Sequence, residues 1–267
     1  MTVRALKDGS ISADPRLDRL EHFDPRSREY PIVRALPFAG GPALRPRSYT
    51  WRITKKSVLD QGFEGACVGF AVTNELLARP AEVRFGNWHV AQRFAREQLY
   101  WEAQKIDPWP GGAYPGADPF YEGTSILAGV KVAQRLGYFK EYRWAFGLRD
   151  LALGVGYNGP ALIGVPWYDS MYTPDENNFI LPMGRIVGGH AILVRAIKMK
   201  FGAHKFSWWK RTWEDVDLDE SYVTLRNSWG GDYGNKGDCY MTLRNLGTLL
   251  DQRGEAVFFL NRTSSLR

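Results

Sequence analysis

Gly62-Phe63-Glu64-Gly65-Ala66-Cys67-Val68-Gly69-Phe70-Ala71-Val72-Thr73-Asn74-Glu75-Leu76-Leu77-Ala78-Arg79 is the stretch that decides the fold. Apolar residues lie nearly all round a helix drawn over residues 67–79. A buried central helix is therefore predicted, ending before Pro80. Cys67 stands at its start. Free backbone N–H groups at a helix N-terminus favour an anion, and so a thiolate over a thiol. The glycines ahead of it allow another backbone to approach closely. An inert buried cysteine fits this segment equally well.

Around this helix the pattern changes once along the chain. Trp88, Ala91, Phe94, Ala95, Leu99 and Ala103 repeat at helical spacing over residues 88–105. Residues 106–120 carry four prolines and three glycines and read as a loop. Residues 125–136 form an amphipathic helix, with Thr124 as its expected N-cap and Gly137 as its stop. Strands follow: residues 161–165, 191–197, 222–226, 239–243 and 256–260, β-rich segments between turn residues. Helices first and strands later predict an α+β fold with two segregated subdomains rather than alternating βαβ units. Residues 1–45 are rich in Arg, Pro and Asp and lack periodicity. They read as an extended arm with one helical turn near 17–23, ahead of a domain over 46–267 (helical part about 60–150, β part about 155–262).

Composition narrows the functional classes. The chain has 267 residues, 44% hydrophobic and 24% charged, as in an ordinary globular protein. No apolar run approaches the ~20 residues of a membrane span, and residues 1–10 lack the apolar core of a secretory signal. Two cysteines cannot form a disulfide framework, so a reducing, cytoplasmic or particle-associated setting is expected. The net charge of +6 is scattered rather than gathered into a stripe, which argues against specific nucleic-acid binding.

A second group bears on Cys67. His190 follows Val187-Gly188-Gly189 and opens the strand 191–197; Asn227 closes the strand 222–226. If the two strands pair antiparallel, His190 and Asn227 become neighbours. An amide oxygen on Asn227 then holds the imidazole in one tautomer, the orienting role of a nucleophile–base–orienter set.

Three segments carry a resemblance. Leu59-Asp60-Gln61-Gly62-Phe63-Glu64-Gly65-Ala66-Cys67-Val68-Gly69-Phe70 resembles the active-site segment of the papain family of cysteine peptidases. Gly188-Gly189-His190-Ala191-Ile192-Leu193-Val194 resembles its histidine segment. Leu225-Arg226-Asn227-Ser228-Trp229-Gly230, with Tyr233-Gly234-Asn235-Lys236-Gly237, resembles its asparagine segment. The three come in the family's order, and the resemblance runs from about Arg45 to Leu260. It implies a papain-like architecture: a helical subdomain whose central helix starts at the nucleophile, an antiparallel β-barrel-like subdomain, and a cleft between them.

The resemblance also implies roles. Cys67 matches the nucleophile, His190 its base, and Asn227 the residue that orients the base. Gln61 matches the side chain that joins the Cys67 N–H in an oxyanion hole. Trp229 matches the indole shielding the histidine–asparagine contact. Glu122, Gly123 and Thr124 match the turn that pairs with substrate backbone, and Gly189 a substrate-facing position. Ala161 and Leu162 match the strand lining the main specificity pocket, which implies a bulky apolar preference beside the cleaved bond. No metal or organic cofactor is required.

The chain departs from the family pattern at Val68, where Trp or Tyr is usual, and at Glu64, where secreted members carry a disulfide cysteine. Cys239 reads as structural. Residues 200–221 lengthen the connection between the last two site-bearing strands; Phe201, Phe206, Trp208, Trp209 and Trp213 make it a candidate cover or protein contact. The arm is too short for a long helical pro-segment, leaving an inhibitory plug, a subunit contact or simple wrapping. The activity implied is peptide hydrolysis on a protein or peptide substrate. The alternatives are a binding or assembly scaffold with the same fold, and acyl transfer to an amine.

Overall fold

β-Branched and aromatic residues on both faces of successive strands build the largest element of the molecule. The computed structural model describes residues 4–37, 44–53, 58–202 and 211–263. Its strands are β1 (Arg4–Ala5), β2 (Ile11–Ser12), β3 (Arg19–Leu20), β4 (Tyr49–Thr50), β5 (Thr124–Ser125), β6 (Glu141–Ala145), β7 (Ala161–Tyr168), β8 (Ile186–Lys198), β9 (Tyr222–Arg226), β10 (Asp238–Thr242) and β11 (Glu255–Leu260). Its α-helices are α1 (Cys67–Leu77), α2 (Trp88–Arg93), α3 (Trp101–Gln104), α4 (Ile126–Arg135), α5 (Leu148–Tyr157) and α6 (Leu243–Asp251). No helix among the described residues is long and apolar enough to cross a membrane.

Seven strands form one antiparallel sheet in the order β10-β9-β8-β7-β11-β6, with β4 also paired to β8. The sheet is open, not barrel-like as expected. Each end strand is covered by irregular chain instead of by the other. Trp144 N–H on β6 donates to Tyr30 O (2.9 Å), and Tyr240 N–H on β10 donates to Asn178 O (2.8 Å). Covering both edges satisfies their backbone groups without closure.

Helix α1 is buried along all eleven residues, as its all-round apolarity requires. It crosses the second helical segment at Gly69. There a Cβ would lie 2.3 Å from Ala95 O and 2.9 Å from Tyr100 N, both backbone atoms. The crossed segment widens into a π-helical turn over Phe94–Tyr100 at this contact, so residues 88–105 are not one regular helix. Gly69→Ala is expected to destabilise the fold by at least about 1–3 kcal/mol, because backbone must move to admit the methyl group. An unchanged melting temperature would contradict this close crossing.

Two other local expectations shift. The N-cap of α4 is Ser125, whose Oγ accepts from Ala128 N–H (3.2 Å), and not Thr124. The Thr124 hydroxyl donates instead to Asp107 Oδ2 (2.7 Å), which takes it away from the helix end. The arm is not simply extended. It makes the β1–β2 pair, the strand β3 and short 3-10 turns at Pro15–Leu17, Pro25–Glu29 and Ile32–Ala35. Leu17, Leu20 and Ile32 are fully buried. Leu17 and Ile32 enter the same apolar core as α5, β7, β8 and α6. At about 1.5–3 kcal/mol per buried side chain, these residues bind the arm to the body.

Candidate active site

The first turn of α1, with Cys67, packs against β8, which carries His190. Cys67 is fully buried, and a backbone hydrogen bond from Ala191, the residue after His190, reaches its sulfur. Burial pushes the thiol up to about 12, with Ala191 opposing the shift. His190 Nε2 donates to Asn227 Oδ1 at 2.8 Å. That oxygen also accepts Ser228 N–H at 2.8 Å, which fixes the amide's orientation and so the imidazole tautomer. His190 Nδ1 faces Arg16 O at 3.3 Å. Burial pulls the imidazole down to about 4, with the Asn227 bond opposing. At neutral pH the covered site therefore holds a thiol and a neutral ring.

The neighbourhood of His190 and Asn227 arises differently from the expected hairpin mouth. Strand β8 begins at Ile186, so His190 lies inside it. Arg226 pairs with Leu193, which sets Asn227 diagonally across from His190 rather than opposite it. Diagonal neighbours on one face remain within reach of longer side chains.

Gln61 is held on three sides. Its backbone N–H donates to Ser228 O (2.9 Å), its Oε1 accepts the Ser228 hydroxyl (2.7 Å), and its Nε2 donates to Glu64 O (2.9 Å). Ser228 thus links Gln61 to Asn227, a role that sequence reading missed. The Trp229 ring lies 5.0 Å from the His190 ring and Trp167 lies edge-on at 4.7 Å. Trp167 was not singled out from sequence. Its signal was the pairing of β7 with β8, which sets Val165, two residues away, opposite His190.

The arm lies across this constellation. Asp18 bridges Gly189 on β8, and β3 runs parallel to β5, with Arg19 opposite Thr124. One short segment thereby joins the helical side to the sheet side. Gly123 adopts φ +92°, and a Cβ there would lie 2.2 Å from Asp18 O, so both its conformation and the close approach require glycine. Arg16 O sits 3.3 Å from Gln61 Nε2 as well as from His190 Nδ1. The Arg16 guanidinium lies over the Trp229 ring at 4.5 Å and is gripped by Asp14 (2.6 Å). Arg4 pairs with both Asp18 and Glu122, the latter at 3.0 Å. Asp18 is buried, and this raises its carboxyl to about 7 although Arg4 opposes the shift.

The residues expected at the substrate side divide. Glu122, Gly123, Thr124, Gly189 and Trp229 all meet the arm. Ala161 and Leu162 sit away from the level of His190, opposite Val194 and Leu193 on β8. Ala161 packs in the core of α5 and α6, and Leu162 in the α1 and α4 cluster that also holds Cys67. His190 pairs with Val165 and Ala191 with Gly164, so the level of the site on β7 is two to four residues further along, at ~3.3 Å per residue. Gly164 on β7 meets the arm at Arg19.

Cys239 is buried and its thiol is shifted upward by burial. In the 200–221 connection, Phe201 bridges Val216 and stacks under Arg211 at 4.5 Å, and Trp213 packs on the sheet-side core. Phe206, Trp208 and Trp209 lie outside the described residues.

No family model matches the chain, and no curated protein matches it. Solved structures do. Xylellain, a cysteine protease from Xylella fastidiosa, aligns over 96% of this chain and 98% of its own, with TM-score 0.50 and 16% identity. A recombinant stem bromelain precursor aligns over 93% and 76% of the two chains (TM-score 0.43, 14% identity). Digestive procathepsin L 3 of Tenebrio molitor larval midgut aligns over 91% and 83% (TM-score 0.42, 16% identity). Near-complete coverage of xylellain in both directions, on top of the helix-and-sheet layout above, gives this chain a papain-like fold, a scaffold it shares with a cysteine protease.

Proposed function

We propose that the chain is a cysteine peptidase kept latent by its own N-terminal arm. One observation carries this reading: the Arg16 carbonyl rests between Gln61 Nε2 and His190 Nδ1, at 3.3 Å from each. A carbonyl thus lies between a fixed amide donor and an imidazole nitrogen. With the arm displaced, a substrate carbonyl takes that place. Cys67 Sγ passes its proton to His190 Nδ1 and attacks the carbonyl carbon. The oxyanion is met by Gln61 Nε2 and the Cys67 N–H. His190 returns the proton to the leaving amine as the C–N bond breaks, leaving a thioester. Water then attacks the thioester carbon as His190 takes its proton, and His190 returns that proton to the sulfur as the C–S bond breaks, releasing the acid and the free thiol. Asn227 positions the ring throughout.

The filled cleft also favours a second reading, a binding or assembly scaffold whose site never opens. Labelling by a peptide carrying a thiol-reactive electrophile separates the two. The peptidase reading expects labelling at Cys67 alone, slow in the full chain and faster when arm contacts are weakened. The scaffold reading expects Cys67 to remain unlabelled even in the weakened variants.

A further inference from the structure

The turn at Gly123 supports the chain that fills the cleft, yet no regular element stands behind it. Between α3 and β5 the chain forms no helix or strand, and residues 106–120 hold four prolines and three glycines. The turn nonetheless bears the arm: β3 pairs with β5, Arg19 opposite Thr124 and Leu20 opposite Ser125. A glycine at φ +92° has no side chain to fix its own shape, so groups outside the turn must hold it.

Two buried side chains do so. Tyr100 ends the π-helical turn, and Gln104 ends α3. Tyr100 is fully buried, and its Oη accepts Gly123 N–H at 3.0 Å. Gln104, 1% exposed, donates from Nε2 to Gly123 O (2.9 Å) and Tyr121 O (3.1 Å), and that nitrogen also lies 3.2 Å from Tyr100 Oη. Its Oε1 accepts Ala113 N–H at 2.8 Å, which fixes the amide's orientation. Burial raises the Tyr100 phenol well above its usual range, with the Gly123 bond opposing, so the hydroxyl stays neutral at neutral pH. Both polar groups of the Gly123 backbone thus end on this pair. Asp107 anchors the flanks separately, accepting from the Tyr121 hydroxyl (2.8 Å) and the Thr124 hydroxyl (2.7 Å). Losing the Tyr100 oxygen therefore frees Gly123 N–H and leaves the rest of the loop attached.

We infer that Tyr100, together with Gln104, is a positioning residue. Its hydroxyl fixes the Gly123 peptide so that β5 can pair with the backbone of the chain lying in the cleft. In the latent molecule that chain is the arm. The consequence for cleavage rests on the peptidase reading, in which an extended substrate takes the arm's place.

Tyr100→Phe in the full chain tests this by removing one oxygen. The first measurement needs no cleavage. Hydrogen exchange of the arm amides over residues 17–22 should quicken about 3–10-fold, the weight of one lost buried hydrogen bond, while exchange within α1 stays as in the parent. The second compares fluorescein-labelled casein, whose chain can lie on β5, with p-nitrophenyl acetate, which has none. The ratio of the two Cys67-dependent kcat/KM values should fall about 3–10-fold, because the fraction of molecules with an open cleft is common to both and cancels. A general loosening of the site would move both substrates alike. Should Tyr100→Phe not fold, Gln104→Met, which removes the donor to Gly123 O, is read in the same way. Unchanged exchange in the arm, exchange in α1 that quickens with it, or a ratio that does not move would each overturn the inference. Faster arm exchange in a chain that cleaves neither substrate would overturn the peptidase reading and leave the positioning role standing.

Discussion

Truncating Leu17 and Leu20 to alanine in the full-length chain should raise both Cys67 alkylation and peptide cleavage by about 10²–10³-fold. Both leucines are fully buried, and both flank the segment that covers His190 and Gln61. A buried Leu→Ala change costs at least about 2 kcal/mol. About 4 kcal/mol for the pair, spent mainly on undocking the arm, corresponds to roughly that change in the open population at 1.4 kcal/mol per tenfold. Alkylation reads opening directly, because the covered thiol is buried and pushed up to about 12. The sheet and helices should persist by circular dichroism. A lowered melting temperature with both rates unchanged would show that the arm is not the gate.

The pH dependence of opening has a definite sign for each group. Asp18 is raised to about 7 in the docked arm, from the usual 3.8. Its contribution to docking is full below 3.8 and is lost as pH rises through 7. His190 is lowered to about 4 from the usual 6.5. Its contribution is full above 6.5 and is lost as pH falls through 4. Between pH 4 and 6.5 the two slopes oppose, so in a Glu255→Gln background, which removes the other carboxyl whose titration the arm perturbs, opening should be nearly flat there. Adding Asp18→Asn leaves the histidine. The alkylation rate of that variant, corrected for reagent chemistry on an open thiol, should then rise up to about tenfold per unit of acidification over that interval. A profile as flat as that of the Glu255→Gln parent would rule out this pairing of groups.

In the arm-weakened background, Cys67→Ala should lower kcat/KM by at least about 10⁴-fold, since the step that forms the thioester has no other nucleophile. Gln61→Ala should cost about 10²–10³-fold in kcat, the usual loss of one oxyanion donor. Asn227→Ala should cost less than Cys67→Ala, because Trp167 and Trp229 still pack on the imidazole. Cys67→Ala removes one buried sulfur and should leave the fold intact. If that variant cleaves peptide at the parent rate, another group is the nucleophile.

Much of this was legible along the chain because it depends on local pattern. The buried helix at Cys67 followed from apolarity without a polar face. The strands expected at 161–165, 191–197, 222–226, 239–243 and 256–260 from β-rich runs between turns overlap β7, β8, β9, β10 and β11, with β7 and β8 running longer than expected. The strand β6 and the helices α5 and α6 were harder to read. In α5, Gly154 and Gly156 weaken the helical signal, yet a Cβ at Gly154 would lie 2.3 Å from the Phe258 ring. A residue chosen for close packing can thus obscure the local preference of its own segment. Ala161 and Leu162 were misplaced for a related reason: a strand's sequence does not state its register, and the bulge beside Tyr168 lies beyond the apolar run.

By itself the sequence determined an α+β chain with a cysteine at the head of a buried helix and a histidine and an asparagine on later strands. Each of those is a matter of periodicity or of short-range motif. The tertiary structure alone decided that Arg16 covers the site, that Ser228 couples Gln61 to Asn227, and that Arg19 meets Glu255. The last pair is separated by 236 residues. Contacts of that kind are set by strand register and by which buried charge has no other partner, and neither quantity is written in any local stretch of residues.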